Sequence, residues 1–374
     1  MALSKYCLGD LLDRNKETNE NLEFCIANVR GVLNTKGISN TKVSVDDRDL
    51  SKFLVVRPGG FIFNHRVHDK LGLGYNTSED VYIFTNDYVA FYVKPEIVGS
   101  VLLPEYLYIW YLRSEFDRYM LFKTYGSATL FFNWDNMCEL EIELPSLSIQ
   151  QKYVDIYKAM VANQQSYERG LEDLKLTMDA LLDRIKATSS MRCVGELLQE
   201  IDIRNESGEA NNVQGINIAK QFMPSVADTN GVNLSNYKLV KRGQLAYSGM
   251  QTGRDECIRI ALYSGNEPII ISPAYSVFQM KDTSVSADYL MMWFSRTESD
   301  RRGWFMSDSS IRTNLDLERL YEIKIPVPEK PMQEALVELY SVFNARRGIS
   351  EKLKTQIKDI CPILIKGSLE EGRK

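Results

Sequence analysis

The feature that most constrains this chain is an internal duplication. Four segments recur in unchanged order, and the offset between copies falls slowly from 186 to 181 residues. The matched pairs are "LGDLL" (8–12) with "VGELL" (194–198), "SKFLVVRPGGFIFN" (51–64) with "SNYKLVKRGQLAYS" (235–248), "YLYIWYLRSEFDR" (106–118) with "YLMMWFSRTESDR" (289–301), and "LFFNWDNMCELEIELP" (130–145) with "IRTNLDLERLYEIKIP" (311–326). Unchanged order with a drifting offset indicates duplication followed by loop insertions and deletions.

Between these matches the two halves differ. The segment "VRGVLNTKGISNTKVSVDDRD" (29–49) has little in common with "VQGINIAKQFMPSVADTNGVN" (213–233), and "HRVHDKLGLGYN" (65–76) is unlike "GMQTGRDECIRIALYSG" (249–265). Matched segments hold a fold, whereas loops on a rigid scaffold commonly carry recognition. The pattern therefore predicts one frame, used twice, with different recognition loops.

Each half combines a strand-rich domain with a long helix. Short β-type runs such as "FLVVR", "YVAFYV" and "ELEIEL", and "QLAYS", "PIIIS" and "YSVFQM" in the second half, are separated by turn residues. One helix, "PEYLYIWYLRSEFDRYMLF" (104–122), and its partner "ADYLMMWFSRTESDRRGWF" (287–305) interrupt them. We expect an α+β chain with two similar recognition domains, 1–147 and 188–328, and two long helices, 148–187 and 329–374.

Both helices carry an apolar seam with alternating steps of four and three residues, which is the coiled-coil a/d pattern. A stripe this narrow needs a partner helix, so we expect the two helices to pair antiparallel, with the two domains related by a pseudo-twofold axis. The second helix shows a register shift at Ile349, and Pro362 predicts a late kink. Gln164 in the first seam either fixes the pairing register or faces a partner subunit. The predicted pairing residues are Tyr153, Tyr157, Met160, Tyr167, Leu171, Leu174, Met178, Leu181 and Ile185, with Leu336, Tyr340, Phe343, Leu353, Ile360 and Leu364.

Composition restricts the class of protein. The six cysteines are scattered singly, no signal peptide is apparent, and no apolar run reaches the roughly 20 residues of a membrane helix. We expect a reduced, cytoplasmic protein without membrane contact. The net charge of −5 argues mildly against nucleic-acid binding, although a basic concave face can coexist with acidic outer faces.

The closing segments of the two domains, the paired "YLxxWxxR" helices and the seams together resemble the specificity (S) subunit of type I restriction-modification systems. That family closes each recognition domain with a glycine-serine pair, an apolar stretch ending in proline, and a glutamine. The first copy here has Gly126, Ser127, Pro145 and Gln150, and the second, which lacks the glycine, has Ser309, Ser310, Pro326, Pro328 and Gln333.

The resemblance implies a subunit without catalysis of its own. Each recognition domain would read one half of a bipartite sequence in double-stranded DNA, and the helices would set the spacer between the halves. The helices would also dock two methyltransferase (M) subunits, which use S-adenosylmethionine, and restriction (R) subunits could join the complex. No cofactor is expected in this chain.

The sequence motifs are consistent with a chain that has no catalysis of its own. No GxxxxGK[ST] phosphate loop and no GxGxxG motif occurs. His65 and His68, the only histidines, would need further ligands to hold a metal, so we expect no metal site. Asp316 with Glu322 and Lys324 loosely resembles a nuclease set, but the alternation is that of a strand with solvent-facing charges.

Sequence readout uses Arg, Asn and Gln side chains on base edges, and phosphate contacts add Lys, Ser, Thr and Tyr. We looked for these types in the loops that differ between the halves. The predicted DNA-binding residues are Arg30, Asn34, Lys36, Asn64, His65, Arg66, Lys70, Lys123, Tyr125 and Ser127 in the first half, and Lys220, Gln221, Ser248, Gln251, Thr252, Arg254, Ser310, Arg312 and Asn314 in the second.

Two alternatives stay open at this point. One is a self-contained nuclease or methyltransferase, and the other is a scaffold that holds proteins and does not bind DNA. The acidic composition is an argument for the scaffold.

Overall fold

The computed structural model describes residues 3–41, 45, 47–126, 129–208, 210–225, 231–250, 252–308 and 313–373, and for 253 and 254 the backbone alone. The chain forms two compact units. Unit 1 comprises residues 1–167 and 349–374, and unit 2 comprises residues 168–348. Each unit therefore includes part of both long helices.

The first half of the chain contains twelve strands, five α-helices and two short 3-10 helices, Ile26–Asn28 and Leu50–Lys52, among its described residues. The strands are β1 (Ser4–Cys7), β2 (Leu12–Asn15), β3 (Arg30–Leu33), β4 (Gly37–Asn40), β5 (Leu54–Val56), β6 (Phe61–Asn64), β7 (Arg66–Val67), β8 (Leu73–Tyr75), β9 (Tyr82–Phe84), β10 (Tyr88–Val93), β11 (Leu130–Phe131) and β12 (Glu141–Leu144). The helices are α1 (Leu8–Leu11), α2 (Pro104–Tyr111), α3 (Ser114–Lys123), α4 (Trp134–Cys138) and α5 (Leu147–Thr188).

The second half repeats this order with local differences. Its strands are β13 (Ser190–Cys193), β14 (Leu198–Ile201), β15 (Val213–Ile216), β16 (Phe222–Pro224), β17 (Lys238–Val240), β18 (Leu245–Ser248), β19 (Arg259–Leu262), β20 (Ile269–Ile271), β21 (Ser276–Met280) and β22 (Lys324–Val327). Its helices are α6 (Val194–Leu197), α7 (Thr252–Asp255), α8 (Ala287–Phe294), α9 (Thr297–Met306), α10 (Leu317–Glu322) and α11 (Lys330–Arg373).

The central sheets of the two units have the same topology. Unit 1 has the strand order β2-β10-β6-β8 and unit 2 has β14-β21-β18-β19, both antiparallel throughout. The strand before the first short helix pairs with the strand before the long helix in each unit, β1 with β12 and β13 with β22. This agreement confirms the duplication and the α+β class.

The amphipathic strands and helices bury one large hydrophobic cluster in each unit, beside smaller ones. In unit 1, Phe61 stacks on Phe91, and Tyr111 of α2 meets Phe91 edge-on. Val154 of α5 and Leu364 of α11 join the same cluster. In unit 2 the equivalent core includes Leu182 of α5 and Leu336 of α11. Residues of both long helices, among them Leu364 and Leu336 of the predicted seam, thus attach the helices to the core of each unit.

Within unit 1 the two long helices run antiparallel. Lys152 of α5 forms an ion pair with Glu371 of α11 at 2.8 Å, and the buried Gln164 donates to Ser350 Oγ at 3.4 Å. In unit 2, Arg346 of α11 lies against Gly170 of α5. The predicted pairing residues are buried or half-buried, and Gln164 pairs within the chain. Pro362 lies inside the continuous helix α11.

Two helical predictions need correction. Ile349 is exposed and Ser350 is buried, so the seam of α11 passes through Ser350 and has no shift at Ile349. The single helix expected over 104–122 is two helices, because Arg113 has extended backbone angles and begins α3 anew. Its guanidinium lies 4.3 Å from the Trp110 ring centroid and Nε donates to the Trp110 carbonyl, which closes α2. Arg296 and Trp293 form the same break in unit 2.

A buried glutamine near the start of each long helix forms hydrogen bonds to the loop before α2 or α8 and to the proline just before the helix. We call this set of three bonds the glutamine bracket. Gln150 Oε1 accepts from Leu103 N at 3.0 Å, while Nε2 donates to Val101 O and Pro145 O at 2.8 and 2.9 Å. Gln333 makes the same three bonds, with Ser286 N, Ser284 O and Pro328 O. This bracket explains why a proline and a glutamine recur at the same junction of both halves.

Candidate nucleic-acid interface

Three predicted loops of unit 1 meet at one surface. The segment 64–70 includes β7, which pairs with β11. Tyr125 exchanges backbone hydrogen bonds with Phe131 of β11 at 2.8 and 3.1 Å. The β3–β4 hairpin joins them at Gly72. A side-chain carbon on Gly72 would lie 3.5 Å from Oδ1 of Asn34 and 3.8 Å from Cβ of Asn64. Sequence-distant candidates are therefore brought together.

Aromatic rings support this surface. The His65 ring stacks on Phe131 with centroids 5.5 Å apart, and exposed Tyr125 lies 5.9 Å from the same ring. Gly126 adopts a φ of +113°, where a Cβ would lie 2.1 Å from the Thr129 carbonyl oxygen, so only glycine fits after Tyr125. Exposed rings and polar tips of this kind suit contacts with nucleic-acid bases and backbone.

The charged and polar candidates of unit 1 differ in how far their side chains are engaged in contacts within the protein. Arg66 is exposed and its guanidinium lies 3.6 Å from Asp87, a weak solvated pair. Lys123 donates to Glu139 at 3.0 Å, and this carboxylate raises the pKa of Lys123. Arg30 lies over the Tyr82 ring at 4.6 Å and donates to the carbonyls of Ala27 and Val29. Lys70 is half-buried and Asn64 accepts a bond from the Arg66 amide at 3.0 Å.

Unit 2 assembles an equivalent surface from different residues. The carbonyl of Gly249 accepts from Leu315 N at 3.0 Å, as that of His65 accepts from Phe132 N at 2.9 Å in unit 1. This pairing places Gly249 beside Asn314. Gln221 is exposed at the end of the β15–β16 turn. Ser127, Gln251, Ser310 and Arg312, and the side chain of Arg254, lie outside the described residues.

Four candidates have buried side chains, which does not fit direct contact with DNA. Thr252 is fully buried and its hydroxyl donates to the Gly249 carbonyl at 3.0 Å, while Ser248 is 6% exposed in the core strand β18. Lys36 contacts Asp117 at 2.7 Å, and Lys220 contacts Asp300. The sequence indicated loops at these positions but not which way each side chain turns.

The ion pair of Lys36 is enclosed in protein. Burial lowers the pKa of the Lys36 ammonium, and Asp117 opposes that change by favouring the charged form. Asp117 and Asp300, the partners of Lys36 and Lys220, were not among the predicted residues. The signal was present, because Asp117 and Asp300 occupy matched positions in the repeated "RSEFDR" and "RTESDR" segments.

The residues that loosely resembled a nuclease set or a metal site either have structural roles or are exposed singly. Asp316 caps α10 by accepting from Arg319 N at 2.9 Å, and the side chains of Glu322 and Lys324 are exposed. His65 is stacked while His68 is exposed. Across the described ranges, no three His, Cys, Asp or Glu side chains are grouped to hold a metal ion. Nor does any helix in the described part of the chain have the length and apolar character needed to cross a membrane.

A duplicated α+β frame with a long helix after each strand-rich half defines an architecture known from solved structures. The chain is similar over 98% of its length to 96% of a type I restriction-modification system S subunit from M. genitalium, with a TM-score of 0.60 and 12% identity. This likeness establishes the fold. No protein-family model matches the sequence, and no curated protein matches it either.

Two further structures match the same share of this chain, with lower TM-scores. The HsdS subunit from Thermoanaerobacter tengcongensis is 13% identical, with a TM-score of 0.41 and coverage of 98% of this chain and 96% of that one. A structure described by the assembly and conformational transition of the type I R-M system is 15% identical, with a TM-score of 0.49 and 98% coverage of both chains.

Proposed function

We propose that this chain is the DNA-specificity subunit of a type I restriction-modification complex. Each unit reads one half of a bipartite target, and the long helices set the spacer and dock two methyltransferase subunits. The chain itself is not catalytic: methyl transfer from S-adenosylmethionine belongs to the methyltransferase partner, and cleavage to restriction subunits. The complex acts on double-stranded DNA in the cytoplasm.

The observation that carries this proposal is the contrast between frame and surface. The two units share sheet order, helix break and glutamine bracket. The residues on equivalent loops are nonetheless different, with half-buried His65 where unit 2 has Gly249 and exposed Asn34 where unit 2 has Ile218. A duplicated frame with divergent tips suits two readers of two different half-sites.

Whole-chain likeness to an S subunit supports the same function, since it includes both units and both helices. The net charge of −5 is compatible with it, because methyltransferase subunits can supply much of the phosphate-neutralising surface. We therefore expect the lone chain to bind DNA weakly and the complex to bind it well.

Mapping methylated bases by long-read sequencing tests the proposal. The genome of the source organism is compared with that of a strain lacking this chain and with a strain in which the chain is restored. We expect one bipartite sequence to lose methylation in the deletion strain and regain it on restoration. An unchanged methylation map would refute the proposal and favour a scaffold.

A second assay addresses the enzyme alternative. The isolated chain is incubated with DNA, Mg²⁺ and S-adenosylmethionine, with and without a methyltransferase subunit. We expect methyl transfer only when the partner is present. Methylation or cleavage by the chain alone would assign catalysis to this protein.

A further inference from the structure

The two units contain an equivalent hairpin in a region where their sequences look unrelated. In unit 1, β3 pairs with β4 antiparallel, and in unit 2, β15 pairs with β16. Aligned at a constant offset of 184 residues, "VRGVLNTKG" (29–37) and "VQGINIAKQ" (213–221) share a valine, a glycine and a lysine. The hairpins are thus part of the duplicated frame, contrary to the sequence comparison.

The shared lysine occupies the same unusual turn position in both. Lys36 has a φ of +62° and Lys220 a φ of +61°, in the left-handed region. The N–H of Lys36 donates to Leu33 O at 2.9 Å, and that of Lys220 donates to Asn217 O at 3.0 Å. Glycine or asparagine would adopt this turn at lower cost, so the reason for lysine is its side chain.

Both lysine side chains reach inward to the frame. The Lys36 side chain is 4% exposed and contacts Asp117 of α3, and the Lys220 side chain is 5% exposed and contacts Asp300 of α9. Lysine is almost never fully buried unless it is paired. The Tyr108 hydroxyl donates to the Lys36 carbonyl at 2.8 Å, and Asp300 also accepts from Ile258 N at 2.9 Å. Two independent copies have therefore retained the same costly link from hairpin to helix.

The residues that this link presents to solvent differ between the units. Asn34 is exposed at the unit 1 turn, and Ile218, 65% exposed, takes its place in unit 2. An asparagine amide can form paired hydrogen bonds with adenine, whereas an aliphatic side chain contacts the methyl group of thymine. A constant anchor beneath a variable tip is the arrangement expected of a reading element.

We propose that Lys36 and Lys220 are positioning residues that fix two reading hairpins, whose tips Asn34 and Ile218 contact bases of the two half-sites. The proposal rests on the proposed function of the chain. The lysines act through the hairpin, and the ammonium groups themselves do not touch DNA. Each lysine governs the half-site of its own unit.

The test compares Lys36→Met with Lys220→Met in the full chain, assembled with its methyltransferase subunits in the deletion strain. Methylation maps give the base preference at every position of both half-sites. We expect Lys36→Met to reduce discrimination about tenfold at positions of one half-site only, and Lys220→Met to do so at the other. The untouched half-site shows within the same map that the chain is folded and assembled.

The exposed tips provide a second arm that does not disturb the buried pairs. Asn34→Ala and Ile218→Ser should each relax the same half-site as the lysine variant of that hairpin, even if a lysine variant fails to accumulate. Unchanged preference in both tip variants, or equally relaxed base preference at both half-sites in a lysine variant that accumulates and assembles, would overturn the inference. Absence of chain-dependent methylation with the wild-type chain would refute the proposed function instead.

Discussion

Gln150 accepts a hydrogen bond from the Leu103 amide at 3.0 Å and donates two more from the same buried side chain. Replacing Gln150 with alanine leaves three backbone groups without partners, and each buried unsatisfied group costs about 1–3 kcal/mol. We expect Gln150→Ala to lower the free energy of unfolding by about 3 kcal/mol in urea titrations. The neighbouring exposed Gln151 bonds only Asp155, so Gln151→Ala is the matched control and should change stability by less than about 0.5 kcal/mol. Equal effects of the two variants would contradict the bracket.

The Lys36–Asp117 pair makes a separate stability prediction. Lys36→Met leaves the carboxylate of Asp117 buried without its partner, and breaking a buried pair costs about 3–5 kcal/mol. Adding Asp117→Leu removes the unpaired charge and should restore most of the lost stability, measured by the same titration. Lys5→Met, which removes the exposed pair with Glu141, is the control and should have little effect. A double variant no more stable than Lys36→Met would show that packing, not charge, decides the cost.

Alkaline conditions should weaken unit 1. Burial raises the pKa of the Cys361 thiol from 9.0 to about 12, so above pH 9 the unfolded thiol loses a proton that the folded one keeps. The free energy of unfolding therefore falls between pH 9 and pH 12, by up to about 1.4 kcal/mol per pH unit for this group. Burial also raises the pKa of Tyr106 and of Tyr108 to about 12, which adds to the slope.

Cys361→Ser isolates the contribution of the thiol. The serine hydroxyl can replace the Cys361 bond to the Ile357 carbonyl, and it does not titrate in this range. We expect a shallower loss of stability from pH 9 to pH 12 than in the wild-type chain, with little difference at pH 7. An identical slope would mean that the thiol does not remain protonated in the folded state.

His65 tests the loop surface of unit 1. The ring stacks on Phe131 and lies half-buried beside Tyr125, so His65→Ala removes a contact surface without opening the core. We expect relaxed base preference at one half-site of the methylation map, with about 1–3 kcal/mol of discrimination lost. Lys52→Ala, at an exposed position on a separate turn, should leave the map unchanged. If both variants reproduce the wild-type map, His65 does not read DNA.

The long helices predict a ruler effect. One heptad is removed from each long helix within unit 2, residues 168–174 of α5 and 341–347 of α11. This deletion keeps the seam in phase and shortens it by about 10 Å. We expect a spacer about three base pairs shorter, with both half-site sequences unchanged in the methylation map. Deleting four residues from each helix instead breaks the heptad phase and should abolish methylation. An unchanged spacer after the heptad deletion would refute the ruler.

Much of the fold could be predicted from the sequence because the signals are periodic. The heptad steps of α5 predicted the seam from Tyr153 to Ile185, and alternating residues predicted strands such as β10 and β12. The break at Arg113 could not be predicted, since the apolar spacing continues across it and the cause is a cation–π contact with Trp110. Ile349 misled for a similar reason: an apolar residue near the seam is exposed while Ser350 is buried.

The candidate surface was harder to predict than the fold. The sequence located the loops that meet around Gly72 and Phe131, since these are the segments that differ between the copies. It could not distinguish a lysine that faces solvent from one that turns inward to an aspartate 81 or 80 residues away, as Lys36 and Lys220 do. Residue type restricts the chemistry of a loop, whereas burial is decided by the tertiary packing around it.

The division of the chain has a consequence for biosynthesis. Unit 1 combines residues 1–167 with residues 349–374, while unit 2 is the uninterrupted stretch 168–348. A ribosome therefore releases every residue of the second unit before the first has its last helical segment. Unit 2 can thus fold from one contiguous stretch, whereas unit 1 is completed only after residues 349–374 have been synthesised.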